Sequence, residues 1–351
     1  MKGLRTGWTT GTCASAAAKA AVQWLVEGEP PASVDVAIPD GRRVAFPVAD
    51  VDPGVPFRCA VVKDAGDDPD VTHGAHLTAA AEWAAAGRGV QLAGGEGVGV
   101  ITLPGLGLPV GAPAINPVPG RMIRRAVGEV TDLAVAVTIS VPGGAAMAAK
   151  TSNARLGIVG GVSILGTTGV VRPFSTAAWR ASVVQQIDVA AAQGLRRIVL
   201  STGSRTDAAA QQLFPDLPPV CFVEVGDFTG IALRRAAAAG VAHVTFVGMA
   251  GKVTKLAAGV MMTHYRRSQV DGALLAEVAA GARAPAAVLA AATATATARH
   301  FAEACLATKH MASLAELCRR AAAACRAHGG GALTVEVILV DFDGEQVLAR
   351  G

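Results

Sequence analysis

Aromatic side chains make up only 4% of this chain, with a single tyrosine in 351 residues. Large flat side chains therefore do little of the packing. The apolar fraction of 52%, much of it alanine, implies helix-rich cores of small residues set close together. No cysteine pair shows the CxxC spacing or that of a zinc site, so the six cysteines read as reduced, buried small hydrophobes and hold no metal. No basic run is interleaved with aromatics and the net charge is only +4, which sets nucleic acid aside as a partner. The longest weakly apolar run, 284–298, is broken by Pro285 and by threonines. It is too short for a bilayer, so no membrane partner is expected. The alanines after Cys13 include Lys19 and no leucine-rich core, so the N-terminus does not read as a secretory signal and a cytoplasmic location is expected. A G-x-S-x-G elbow is lacking too, and Gly248 to Lys252 fails the Walker spacing, which argues against a serine hydrolase and an NTPase.

What is present falls into two patterns, and the length favours two domains. Residues 1–150 mix helices with short strands in no βαβ rhythm, which predicts an N-terminal α+β domain. Thr9 or Thr10 caps a helix over 12–27 that Gly28 stops. Alternating segments 34–38 and 42–48 flank Pro39-Asp40-Gly41 and predict a hairpin. Further strands are expected at 57–63, 98–103 and 134–141, a second helix at 75–86, and a long loop across the proline- and glycine-dense 104–119. From Arg155 onward short apolar strands at 156–159, 197–200, 220–225 and 241–247 alternate with helices at 177–193, 207–213 and 229–239. This alternation predicts a C-terminal α/β domain over 151–351, Rossmann-like and open, with mainly parallel strands. Alanine-rich helices fill 285–328. A closing hairpin, 335–340 with 346–350, either stays in that domain or returns to the N-terminal one.

In such sheets ligands sit beyond the carboxyl ends of the strands. Four expected strand exits carry glycine: Gly160-Gly161, Ser201-Thr202-Gly203-Ser204, Glu224-Val225-Gly226-Asp227 and Gly248 to Lys252. The stretch 158–169 is the barest, with four glycines and the pair Thr167 and Thr168. It reads equally as a tight turn or as backbone that approaches a ligand. Glu224 to Gly230 approaches the acidic-x-Gly-x-Gly-x-Gly loop of S-adenosylmethionine binders, with Phe228 in place of the central glycine. A plain turn in which Asp227 caps the next helix is as good a reading. Thr9, Thr10 and Thr12 bring three hydroxyls to a helix start, where capping needs one, so a carboxylate or phosphate would fit. Lys63 to Gly74 concentrates Asp64, Asp67, Asp68 and Asp70 in one loop. With His76 these are candidate cation ligands, helix caps, proton acceptors or simply a solvated loop. Gly94 to Gly99 is a further bare loop that matches neither a dinucleotide nor a Walker motif, and His264 stands beside Tyr265-Arg266-Arg267.

Taken together and in order, these blocks resemble the cobalt-precorrin-5B C1-methyltransferase family of the cobalt-early (anaerobic) cobalamin pathway, CbiD. The matching residues are Leu4 to Cys13, Lys63 to Gly74, Gly94 to Gly99, Ala114 to Pro117, Ile139 to Gly143, Asn153 to Gly161, Ile164 to Val171, Gly226 to Phe228, Gly251-Lys252 and Lys255 to Gly259. The chain departs from the family pattern at Met249-Ala250 and at Tyr265. The resemblance implies methyl transfer from S-adenosylmethionine to C1 of a tetrapyrrole whose cobalt arrives inside the substrate. For that reaction Gly160, Gly161, Ser201, Thr202, Gly203, Glu224, Gly226 and Asp227 are the candidates for binding the donor. Arg5, Thr9, Thr10, Thr12, Lys63, Thr167, Thr168, Arg172, Lys252 and His264 suit the carboxylate-bearing substrate, and Asp64, Asp67 and Asp68 are the candidate catalytic carboxylates. Two other classes stay open, a non-catalytic corrinoid carrier and a nucleotide-dependent transferase using Gly94 to Gly99. A homo-oligomer is also left open.

Overall fold

The computed structural model describes residues 3–54, 56–85, 87, 89–264, 271–294 and 297–351. It divides into two compact units, Met1–Thr176 and Ala177–Gly351. The first unit is organised around the helix Thr10–Glu27. Thr9 caps its start by accepting from the Thr12 amide, and Gly28, at φ +84°, ends it with its N–H on the Trp24 carbonyl. Ala14, Ala16, Ala17, Ala18, Ala20 and Ala21 are all fully buried, so this helix has no solvent face over most of its length. Alanine makes that possible, because small side chains on every face let neighbours approach closely.

A five-stranded sheet packs against this helix. Its order is Asp50–Asp52, Phe57–Val62, His76–Trp83, Val135–Ser140, Val90–Gly94, antiparallel except for the last pair. The expected helix at 75–86 is the central strand of this sheet. Leu77, Ala79 and Ala81 are buried while Thr78 and Ala80 are half-exposed, a period of two whose apolar members happen to be strong helix formers. The expected loop 104–119 in turn gives way to a helix, Pro117–Gly128, whose prolines sit at its first turn and whose Met122, Ile123, Ala126 and Val127 are buried. The hairpin forms as expected, Ser33–Ala37 against Arg43–Pro47.

The segment expected to open the α/β domain belongs to the first unit instead. Ile158–Val159 pairs antiparallel with Val100–Ile101, and Val170–Val171 pairs antiparallel with Gly7–Trp8. Residues 151–176 therefore group with the first unit, and the division falls after Thr176 rather than after 150. Glycine is the physical reason. A Cβ on Gly161 would lie 2.2 Å from the Gly97 carbonyl oxygen, and one on Gly99 2.9 Å from the Gly161 carbonyl oxygen, so the two segments meet backbone to backbone.

The sheet of the second unit runs Phe222–Glu224, Arg197–Ser201, His243–Met249, Thr334–Val340, Val347–Arg350. All neighbours are parallel except the last pair. The closing hairpin thus extends this sheet. Helix Thr176–Ala192 precedes these strands in sequence, Ser204–Leu213 and Thr229–Ala238 fall between the first three of them, and Ala250–Ala257 follows the third. The alanine-rich helices Gly272–Gly281, Ala286–Ala294, Ala298–Ala307 and Met311–His328 lead into the fourth. Among the described residues no helix is long and apolar enough to cross a membrane. All six cysteines are free and buried.

Gly161→Ala is expected to destabilise the fold by about 1–3 kcal/mol, since the group it would strike is backbone. Gly128→Ala, at a helix end with nothing near the added methyl, should be close to neutral. Chemical denaturation of the two variants measures the contrast, and equal midpoints would show that the backbone contact is not tight.

Candidate functional site

In the first unit, two groups expected to face ligand face each other. Thr10 Oγ1 accepts from the Leu165 amide at 2.8 Å and lies 3.2 Å from the carbonyls of Ser163 and Leu165. Thr12 Oγ1 donates to the Gly169 carbonyl at 2.8 Å, and the amides of Thr9 and Gly11 bond to the carbonyls of Gly169 and Leu165. All three threonines are buried. Gly166 has φ +122°, and a Cβ there would fall 2.4 Å from Thr9 Cβ. Helix start and glycine loop are thus each other's partners, which accounts for hydroxyls in excess of capping. Thr167, Thr168, Gly160 and Arg172 remain exposed. The Thr168 hydroxyl bonds within its own turn, to the Val170 carbonyl at 3.0 Å and amide at 3.3 Å. Gly161 is buried against Gly97. The Gly94 to Gly99 loop also uses its amides internally: those of Gly95, Val98 and Gly99 bond to the carbonyls of Ile139, Gly95 and Val162. A phosphate cradle needs such amides turned outward.

The acidic loop is a clasp. Lys63, only 1% exposed, places its ammonium 2.8 Å from Asp70 Oδ2. Asp70 Oδ1 takes the Thr72 amide and hydroxyl at 2.8 and 2.6 Å. Burial alone would raise the Asp70 pKa, but the bonds from Lys63 and Thr72 outweigh it and hold the carboxyl below its usual range. Asp64 is ion-paired with Arg5 and accepts from the Gly66 amide, and chiefly the Arg5 hydrogen bond draws its pKa down to about 2. Asp67 accepts from the Arg5 amide at 2.6 Å and Asp68 from the Phe174 amide at 2.9 Å. These three aspartates bind the loop to the segments before Gly7 and after Val171. A carboxylate held near 2 is a weak base at neutral pH. His73 Nδ1 accepts from the Ala65 amide at 3.1 Å, and His76, on its strand, bonds to Asp50 at 2.6 Å. The Cys13 thiol is pushed up to about 12 by burial and is inert as a nucleophile.

The second unit leaves more of its polar groups at an open space. At the 201–204 exit, Thr206 Oγ1 takes the amides of Thr202 and Gly203 at 2.9 and 3.1 Å, and Ser201 bonds to Asp207, so the helix that follows closes this exit. Gly226, at φ +55°, lies under the Trp179 indole, and its carbonyl accepts from Lys252 at 3.2 Å. Asp227 is ion-paired with Lys252 and accepts from Thr263 Oγ1 at 3.2 Å. Asp227, Lys252 and His264 line a cavity of about 730 Å³ beyond the carboxyl ends of His243–Met249 and Thr334–Val340. The start of helix Ala250–Ala257, which has no side-chain cap, contributes Ala250 and Gly251. Helix Ala298–Ala307 and the turn after Val340 supply Arg299 and Phe342, with the guanidinium 4.3 Å from the ring centre.

Of the expected donor and substrate residues, then, Asp227, Lys252 and His264 come together. Ser201, Thr202, Gly203, Glu224 and Gly226 do not line the cavity, and Gly160, Gly161, Arg5, Lys63 and the threonines belong to the other unit. Tyr265, Arg266 and Arg267 lie outside the described residues. Lys255 stands in the family-matching block 255–259 but not among the expected site residues. It lines the same cavity, buried, and donates to the Thr263 carbonyl at 3.0 Å. Its signal was available, as a second lysine three positions after Lys252 and hence on the same helix face.

Asp70→Asn leaves the Lys63 ammonium buried without a counter-charge and should cost about 3 kcal/mol in urea denaturation. Because the Asp70 pKa is depressed in the folded state, its contribution is full above the usual carboxylate pKa, about 3.9, and is lost as pH falls through the folded value. The variant should therefore lose less stability than the parent on acidification below about pH 4, and parallel acid profiles would contradict the clasp.

The CbiD family model matches residues 1–173, and the model of the CbiD C-terminal domain matches 262–351. A cobalt-precorrin-5B C(1)-methyltransferase of Salinispora tropica is 58% identical, covering 99% of this chain and 92% of that protein. One of Rubrobacter xylanophilus is also 58% identical, over 97% and 89%. The crystal structure of the cobalamin biosynthesis protein CbiD from Archaeoglobus fulgidus is 30% identical, covers 75% of this chain and 83% of that one, and superposes with a TM-score of 0.41. Sequence identity this high over nearly the full length makes the chain a member of the CbiD family.

Proposed function

We propose that this chain methylates cobalt-precorrin-5B at C1, giving cobalt-precorrin-6A, with S-adenosylmethionine as the methyl donor. The observation that carries the reaction is the 58% identity to relatives bearing that name, over 99% of the chain. The observation that supports the donor is the second-unit cavity. Its volume of about 730 Å³ suits a nucleoside-sized ligand, since such sites run from about 300 to 1,000 Å³. Its position beyond parallel strand ends is where open α/β sheets take ligands, in keeping with a Rossmann-like reading of this unit. Gly251, with nothing within 4 Å of a would-be Cβ, leaves the helix start bare to an incoming group.

When bound, S-adenosylmethionine supplies an electrophilic methyl group on a sulfonium. The protein's part is alignment and exclusion of water. Asp227, fixed between Lys252 and Thr263, offers a carboxylate whose charge suits a cationic ligand. Phe342 and Leu348 add apolar surface to the lining. In the first unit the exposed Arg172, Thr167 and Thr168 suit the carboxylate arms of the substrate, while Asp64 and Asp67 hold the segment that carries Arg5 and Asp68 holds that of Phe174. Cobalt belongs to the substrate.

Incubation with cobalt-precorrin-5B and donor labelled with carbon-13 at the methyl group should place one label at C1, read by NMR of the product. Unlabelled product or unchanged substrate would refute the reaction. Gly251→Leu should fill the cavity without straining the helix and weaken S-adenosylhomocysteine binding by about tenfold or more. Unchanged affinity in calorimetry would move the donor elsewhere.

A further inference from the structure

Lys255 is 8% exposed and lines the second-unit cavity. An ammonium has three N–H donors. Among the described residues it meets one acceptor, the Thr263 carbonyl at 3.0 Å, and no carboxylate within 4 Å. Its neighbour Lys252 is in a different position, because Asp227 neutralises it. Burial, and secondarily the charge of Lys252, lower the Lys255 pKa, and Asp227 only partly opposes them. A buried cation so poorly matched is costly unless an anion completes its shell.

The surroundings of Lys255 favour a carboxylate in that place. Helix Ala250–Ala257 begins at Met249 with no side-chain cap, so its first amides and its positive dipole end are available where Ala250 and Gly251 reach the cavity. The same cavity carries acidic groups. Glu303 is ion-paired with Arg299, Asp341 accepts from the amides of Glu345 and Gln346, and Asp343 is exposed. The lining is therefore not a uniformly basic hole for polyanions. It presents cationic and anionic groups together, the complement of an amino-acid zwitterion.

We propose that Lys255, with the free amides at the start of helix Ala250–Ala257, binds the α-carboxylate of the donor's amino-acid end. The inference rests on S-adenosylmethionine being the donor. No bond is made or broken at Lys255, whose task is to anchor one end of the ligand.

Titration calorimetry on the full chain with S-adenosylhomocysteine and with its decarboxylated analogue tests this directly. A charge-assisted hydrogen bond of this kind predicts that the wild-type protein prefers the carboxylate-bearing ligand by about tenfold to a hundredfold. Lys255→Met should bring S-adenosylhomocysteine down to the affinity of the analogue and leave the analogue unchanged, while Lys255→Arg keeps part of the preference. Equal affinity of the two ligands for the wild-type protein overturns the assignment and leaves the donor reading intact, and this comparison needs no variant to fold. Equal loss of both ligands in Lys255→Met also overturns it, since that is the signature of a structural lysine. No binding of S-adenosylhomocysteine to the wild-type protein overturns the donor reading and Lys255 with it.

Discussion

The first unit hangs on the contact between a helix start and a glycine loop. Thr9, Thr10 and Thr12 are buried, so their hydroxyls and amides need partners, and the carbonyls and amide of residues 163–169 supply them. Such an approach is sterically open only because Gly11, Gly166 and Gly169 carry no side chain. The contact fixes the short strand Gly7–Trp8 against Val170–Val171, and the Trp8 amide then bonds to the Asp64 carbonyl. In this way the acidic loop inherits its position from the threonines. Its aspartates finish the same job by holding Arg5 and Phe174.

The second unit uses polar groups differently. Its parallel strands end in loops of which one, at 201–204, is closed by Thr206, while the loops after Glu224 and Met249 meet at a cavity. There the charged groups are arranged in pairs of unequal completeness. Lys252 and Asp227 neutralise each other, and Lys255 is left with a carbonyl. An ammonium has three N–H donors, so on the reading proposed above Lys255 is the group with bonding capacity to spare.

Much of this was legible in the sequence where local chemistry is decisive. Thr9 and Gly28 mark the ends of the first helix, Pro39-Asp40-Gly41 marks the hairpin, and the recurrence of apolar runs marks the parallel strands. The misread elements share a cause in alanine and proline. His76–Trp83 alternates correctly, but its buried positions are filled by alanines that a helix would also choose, and Pro117 and Pro119 looked like breakers when they open a helix. Of the residues lining the candidate cavity, Asp227 and Lys252 were legible from their strand exits and His264 from its place beside Tyr265-Arg266-Arg267. Bare glycines beside hydroxyls could not be assigned from sequence, because the same pattern serves a ligand or another stretch of the same chain. Only the burial of Thr9, Thr10 and Thr12 distinguishes the two.

The partners in the threonine and glycine contact are separated by more than 150 positions along the chain, as between Thr12 and Gly169. During synthesis the start of the first helix must therefore wait, its threonines without their partners, until the loop has left the ribosome. At about 5–20 residues per second that delay is on the order of ten seconds or longer. Contacts of such long range are slow to close. The same separation also orders assembly: the second unit is made only after the last piece of the first has been supplied, so the two can fold in sequence without competing for strands.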